Sequence, residues 1–180
     1  MTHIAAGIFR AFAGALLAAA LLVPLAAPDA LAADKPKLIV FDTEFLDHMM
    51  SGTGESFTTA EDISRARSIS DSFREELASR YEILTPAEDS PPYDLTCPEC
   101  ILKIAKRQKA QYVLTSALTR MNSRTVYLKY ELGDVVKDQR LVSGDFELNG
   151  FTARQIKMVS QLAVDDLLKN ANPQNAAAPK

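Results

Sequence analysis

Hydrophobic positions along the chain follow two periods in turn, one of two residues and one of three to four. The first segment, 37–45, contains Leu38-Ile39-Val40-Phe41, which is apolar on both faces, as in a central strand covered from both sides. Short or alternating patterns predict four more strands, at 81–84, 112–120, 125–132 and 141–148. In the last two, one face carries Val126, Leu128, Tyr130 and Leu132, and Val142, Gly144, Phe146 and Leu148.

Three segments have helical spacing, and each follows a capping-box motif: Thr58-x-x-Glu61, Thr96-x-x-Glu99 with Pro98 in the first turn, and Thr152-x-x-Gln155. Their inward residues are predicted to be Ile63, Ala66, Ile69, Phe73 and Leu77, then Ile101, Ile104 and Ala105, then Ile156, Val159, Ala163 and Leu167. The order of elements predicts one α/β domain over 33–169, with three helices and a mixed sheet of about five strands.

Three further segments are predicted to lie outside these elements. Residues 47–60 and 85–95 form two long loops, a kind of segment that is more often functional than a short connection. The segment 170–180 is an Ala/Asn/Pro tail with nothing to bury, and we expect it to be disordered.

The amino terminus is typical of an export signal. Arg10 is followed by an uncharged Ala/Leu-rich run, and Ala30-Leu31-Ala32 gives a small-x-small cleavage pattern. A retained anchor is the alternative, but the run from Ala11 to Ala27 is short for a membrane span and contains Pro24. We therefore expect residues 1–32 to be a signal peptide and the mature chain to begin at Ala33 in the periplasm.

Composition excludes several functional classes. The net charge of -3 and the pI near 5.4 give no reason to expect nucleic-acid binding, and 24% charged residues exclude a transmembrane bundle. One histidine, His48, remains after cleavage of the signal, so the mature chain has few side chains suited to metal binding or nucleophilic catalysis. The sequence therefore predicts no catalytic residue, no cofactor and no integral membrane protein.

Cys97-Pro98-Glu99-Cys100 stands at the predicted start of the second helix. A helix amino terminus lowers the pKa of a thiol, and this spacing closes a small disulfide ring, as in thiol-disulfide oxidoreductases. A structural disulfide is the other interpretation, which we favour because no proline follows the motif within the predicted domain to meet a substrate. Metal binding by the two thiols is a third.

Two charged clusters are candidate binding sites. Asp42, Glu44, Asp47 and His48 gather near the end of the first strand, where Asp42 and Glu44 are predicted to share a face, and could bind a cation or small ligand. Lys103, Lys106, Arg107 and Lys109 cluster on the second helix, where they form either a solvated face or a contact surface for an anionic partner.

Several stretches resemble a group of bacterial envelope domains that includes the amino-terminal domain of TolB, the CsgG proteins and the LpoB proteins. They are Leu38-Ile39-Val40-Phe41, Arg80-Tyr81-Glu82-Ile83-Leu84 and Ala110-Gln111-Tyr112-Val113-Leu114-Thr115. The chain is also similar to a family of small exported proteobacterial proteins of unknown function that share the Cys-x-x-Cys. It departs from the group at Ser116, where glycine is usual.

The resemblance implies a TolB-N-like fold and a non-catalytic role in protein interaction or assembly in the envelope, with an unidentified envelope protein as partner. Two alternatives stay open at this point: a periplasmic thiol-disulfide protein that uses Cys97 and Cys100, and a carrier of a small ligand or metal.

Overall fold

The computed structural model describes residues 34–48, 58–87 and 97–171. The elements in chain order are β1 Lys37–Val40, β2 Glu44–Asp47, α1 Ala60–Leu77, β3 Glu82–Leu84, α2 Pro98–Arg107, β4 Tyr112–Arg120, β5 Thr125–Asp134, β6 Gln139–Asn149 and α3 Ala153–Asn170. The predicted signal peptide, nearly all of the tail and most of the two long loops lie outside the described residues.

The strands form one mixed sheet in the order β3-β1-β4-β5-β6, with β2 also paired to β4. The strands β3, β1 and β2 run parallel to their neighbours, whereas β4, β5 and β6 are antiparallel to one another. The α/β class, the three helices and the mixed sheet are therefore confirmed. The difference is at 37–45, which is two strands, β1 and β2, and not one.

The break between β1 and β2 is a one-residue slip in register against β4. Val40 pairs with Leu114 and Glu44 pairs with Ala117, so the three residues 41–43 face the two residues 115–116. An extra residue in one strand turns the following side chains to the opposite face. The hydroxyls of Thr43 and Ser116 meet at this slip, 2.8 Å apart and buried.

Helices cover both faces of the sheet. α1 and α3 pack on one face over the larger core, which includes Leu38, Phe73, Leu114, Leu128, Tyr130 and Leu167. α2 packs on the other face over a smaller core made of Ile39, Phe41, Ile101, Ile104, Ala105, Ala110, Val113 and Val135. On this second face the strands β5 and β6 present polar side chains, among them Lys129, Ser143, Asp145 and Glu147, which are exposed.

The helix starts agree with the sequence in part. At α3 the predicted box of Thr152 and Gln155 is present, whereas at α1 the box is formed by Thr59 and Asp62 and not by Thr58 and Glu61. Asp62 is buried and Ile63 is 45% exposed, so the prediction that Ile63 faces the core is wrong. The reason is that Asp62 turns inward to meet a partly buried arginine, described below.

The start of α2 also differs from the prediction. Its N-cap is Cys97, whose side chain makes no capping hydrogen bond, and Pro98 occupies the first turn. Across the described part of the chain, no helix has both the length and the apolar character that a bilayer span requires.

Candidate functional site

The first turn of α2 carries the disulfide. Cys97 and Cys100 are bonded to each other, with their Cα atoms 5.3 Å apart, and the backbone N–H of Cys100 donates to the carbonyl of Cys97. Cys100 is exposed and Cys97 is half-buried. The bond joins the residue before the helix to its first turn, so its direct mechanical effect is local.

The exposed side of α2 is cationic. Ile101, Ile104 and Ala105 are buried against the sheet, while Lys103, Lys106 and Arg107 are exposed. Lys109 is also exposed but lies beyond the helix end, in the left-handed region at φ 56°. In the part of the chain that the structure describes, Lys103, Lys106 and Lys109 form no ion pair.

A shallow hollow of about 240 Å³ lies beside two of the basic residues, Lys103 and Arg107. It is lined by Cys100, Lys103, Ile104 and Arg107, so its floor is apolar and its rim is basic. Such a hollow can take an apolar side chain from a segment that also carries negative charge.

Gln108, just after α2, is hydrogen-bonded to the backbone of the residues that follow β3. With its amide oriented to satisfy both groups, the nitrogen donates to the Thr85 carbonyl at 3.0 Å and the oxygen accepts from the Ala87 N–H at 2.8 Å. The disulfide holds the chain where it rejoins the fold at Cys97. Both ends of the segment 88–96 are therefore fastened to α2.

A second cleft lies between α2 and the neighbouring strands β4, β5 and β6. Its volume is about 290 Å³, and Pro98, Ile101 and Leu102 of α2 form one wall. The opposite wall is polar and contains Glu131 and Arg140, which form an exposed ion pair at 3.4 Å.

The four residues predicted as a cation site do not converge on one point. Asp42 accepts from Arg74 of α1 at 2.5 Å, and Asp47 accepts from Arg120 of β4 at 3.4 Å. The slip between β1 and β2 puts Glu44, opposite Ala117, on the other face of the sheet, so the prediction that Asp42 and Glu44 share a face is wrong. His48 is exposed and donates its backbone N–H to the Arg120 carbonyl.

An ion cluster that the sequence did not predict lies at the end of β4. Arg120 donates to Asp62 Oδ2 at 2.7 Å as well as to Asp47, and the side chains of Asp62 and Asp47 are 6% and 2% exposed. The Arg120 guanidinium also lies 4.9 Å from the ring centre of Phe45. Since Asp47 precedes the segment 49–57 and Asp62 follows it, Arg120 fastens both ends of that segment.

The pKa of Asp62 reflects this environment. Burial is the largest influence and opposes ionisation, but the N–H and hydroxyl of Thr59 together with Arg120 outweigh it. Their net effect lowers the pKa of Asp62 below its ordinary value near 3.8. The carboxylate is thus held in its charged form as part of the fold.

The sequence model of the family named DUF3280, described as "Protein of unknown function (DUF2380)", matches residues 36–170, which include every helix and strand described above. The chain belongs to the DUF3280 family. No curated protein sequence matches this DUF3280 chain.

Solved structures similar to this DUF3280 chain include PelC from Paraburkholderia phytofirmans, described as a dodecamer, at 16% identity and a TM-score of 0.46 over 74% of this chain and 86% of that one. The LpoB C-terminal domain from Salmonella enterica has 17% identity and a TM-score of 0.43 over 66% and 86%. TolB from Acinetobacter baumannii has 14% identity and a TM-score of 0.46 over 77% of this chain and 29% of that one. The family assignment rests on the match over residues 36–170.

Proposed function

We propose that this DUF3280 protein acts without catalysis, by binding another protein of the bacterial envelope through the exposed side of α2. The observation that carries the proposal is a basic surface beside an apolar hollow. Lys103 and Lys106 of α2, and Lys109 just after the helix, form no ion pair with any described residue, and the hollow is lined by Lys103 and Arg107. A cationic patch on a chain of net charge -3 gives a directed attraction for an acidic partner segment.

The surroundings of α2 support the same use. Because Gln108 and the disulfide hold both ends of the segment 88–96 next to the basic side, little conformational entropy remains to be lost at those ends on docking. The basic rim and the apolar floor of the hollow fit a protein partner that carries acidic and apolar residues in one segment.

The proposal is tested by photo-crosslinking from α2 in the native envelope. A photoreactive residue replaces the exposed Glu99, which lies one turn before Lys103, and the crosslinked proteins are identified. Charge reversal by Lys103→Glu, Lys106→Glu and Lys109→Glu should remove the crosslinked partner, because a like-charged surface repels an acidic segment.

The matched control reverses three charges on another helix, with Arg154→Glu, Lys157→Glu and Lys169→Glu on α3, where all three residues are exposed. This variant has the same net charge as the first and should keep the crosslink. A crosslink of equal yield in both variants would refute α2 as the binding surface.

Export is part of the proposal. We propose that residues 1–32 are removed and that the mature protein starts at Ala33 in the periplasm, where an oxidising environment preserves the Cys97–Cys100 bond. Amino-terminal sequencing of the protein from the periplasmic fraction tests this start. Recovery of the uncleaved chain in washed membranes would contradict it.

A thiol-disulfide activity is the second candidate, and the exposure of Cys100 at a helix amino terminus is the observation that favours it. Reduction of insulin by the wild-type protein, absent from the Cys97→Ser variant, would establish it. The binding proposal predicts no such activity and an unchanged crosslink in that variant.

A further inference from the structure

Among the described strands, β6 is the last of the sheet and has no partner on its outer edge. β6 pairs with β5 and with no other described strand, and its register runs without interruption from Val142 to Asn149. Alternate N–H and C=O groups of an edge strand point away from the sheet and can bind a further strand. β6 contains neither proline nor lysine, two residues with which proteins commonly block such addition.

One side of α3 lies along this edge. Gln155 donates its amide to the carbonyl of Asn149 at the end of β6, and Asp166 accepts from the hydroxyl of Tyr130, whose ring lies across Gly144 of β6. Met158 and Leu162 fall between Gln155 and Asp166 in the same helical row (i, i+3, i+7, i+11), so they flank β6.

These two side chains are unusually exposed for apolar residues. Met158 is 58% exposed and Leu162 is 46% exposed, and we call the pair the α3 flank. An apolar pair beside an unpaired strand provides both components of an interface: backbone hydrogen bonds from the strand and apolar area from the helix.

We propose that a second copy of this chain adds at this edge, with the two β6 strands antiparallel about a two-fold axis at Gly144. The axis is perpendicular to the sheet, so both α3 helices lie on the same face of one continuous sheet. The α3 flank of each copy then faces that of the other and is covered by it.

The charges on β6 disfavour two of the neighbouring registers. Residues opposite each other across antiparallel strands point to the same face, so one residue must lie opposite its own copy, with the axis midway between the two. An axis at Asp145 would place that carboxylate opposite itself, and an axis at Phe146 would place Asp145 opposite Glu147.

With the axis at Ser143, only one residue on each side would pair before Leu141 is reached. The strand is irregular at Leu141, because this residue has no partner on β5. With the axis at Gly144, Ser143 lies opposite Asp145 and Val142 lies opposite Phe146. No like charges then face each other, and an apolar pair extends the core on the α3 side. The edge is therefore complementary to itself in this register.

The first experiment measures self-association of the protein, purified from the envelope, by sedimentation equilibrium. We expect a dimer that Met158→Asp and Leu162→Asp together weaken by at least about tenfold, because each places a charge in the apolar contact. Ile63→Asp is the matched control, since Ile63 is equally exposed on α1, and should leave the dimer unchanged.

The second experiment tests the register. Protein with Ser143→Cys is mixed with protein with Asp145→Cys, and oxidation should yield a covalent dimer of the two, because these positions face each other across the axis. Ser143→Cys mixed with Glu147→Cys should yield none, since Glu147 faces Leu141.

Two results would overturn the proposal. One is a protein that stays monomeric up to about 100 µM, well above the dissociation constant of a weak specific complex. The β6 edge would then be a site for a strand from a different protein and not for a second copy. The other is a dimer that the α3-flank variants leave intact. Neither result bears on α2, whose test is the crosslink from position 99.

Discussion

Thr43 and Ser116 share a hydrogen bond of 2.8 Å between their side-chain oxygens, and both side chains are buried. The bond joins β4 to the residues between β1 and β2 at the register slip, where residues 41–43 face residues 115–116. Each hydroxyl is a partner for the other, so loss of either leaves a polar group in the interior with that bond unmade. Thr43 thus gives the buried hydroxyl of Ser116 its partner.

We therefore expect Ser116→Ala and Thr43→Val each to lower the free energy of unfolding by about 1–2 kcal/mol. The double variant should lose less than the sum of the two, because it leaves no orphaned hydroxyl. Urea denaturation of the four proteins measures this coupling. Strict additivity would show that the two hydroxyls do not depend on each other.

The disulfide is predicted to act locally. Replacing both Cys97 and Cys100 with Ser should lower the free energy of unfolding by about 2 kcal/mol or less, because the closed ring has only four residues. Hydrogen exchange should rise chiefly in the first two turns of α2, up to Ile104, and where the chain approaches the helix from Thr85. A variant that fails to fold would show a larger role for the bond.

Arg120 is predicted to be the most costly charged residue to remove. Arg120→Met leaves the buried carboxylates of Asp47 and Asp62 without their shared cation, which should cost about 3 kcal/mol in the free energy of unfolding.

Arg140→Met is the matched control, because its ion pair with Glu131 is exposed, and it should cost no more than about 0.5 kcal/mol. Both values come from chemical denaturation. Equal effects for the two arginines would contradict the importance of the buried cluster.

Asp62 should make stability depend on pH in the acid range. Its pKa is lower in the folded protein than its ordinary value near 3.8, so the charged form contributes stability above that value. The contribution is lost as the pH falls through the lower, folded pKa. The wild type should therefore exceed Asp62→Asn in stability at pH 6, and the gap should narrow below about pH 4. A gap that is constant with pH would contradict this role.

The regular elements could be predicted because their evidence is local. The alternation of Val126, Leu128, Tyr130 and Leu132 identified β5, and all four side chains are buried in the core shared with α1 and α3. The apolar spacing of α3 and its capping box with Thr152 were equally informative, since both depend on residues three or four apart.

The slip and the ion cluster could not be predicted, because they depend on residues distant in sequence. Asp47 lies 73 residues before Arg120, and the pattern gives no sign that the two meet. Asp42-Thr43-Glu44 has no apolar period from which a one-residue slip could be read. The inward turn of Asp62 at α1 had one local signal, the spacing Thr59-x-x-Asp62, which competed with Thr58-x-x-Glu61.

Arg120 holds the strand before the segment 49–57 and the helix after it through the same guanidinium. This attachment of the two ends uses side chains that lie outside the segment itself. Insertions, deletions and wholesale exchange of 49–57 among members of the family should leave the rest of the protein able to fold. The arrangement makes this stretch a suitable place to graft a foreign peptide.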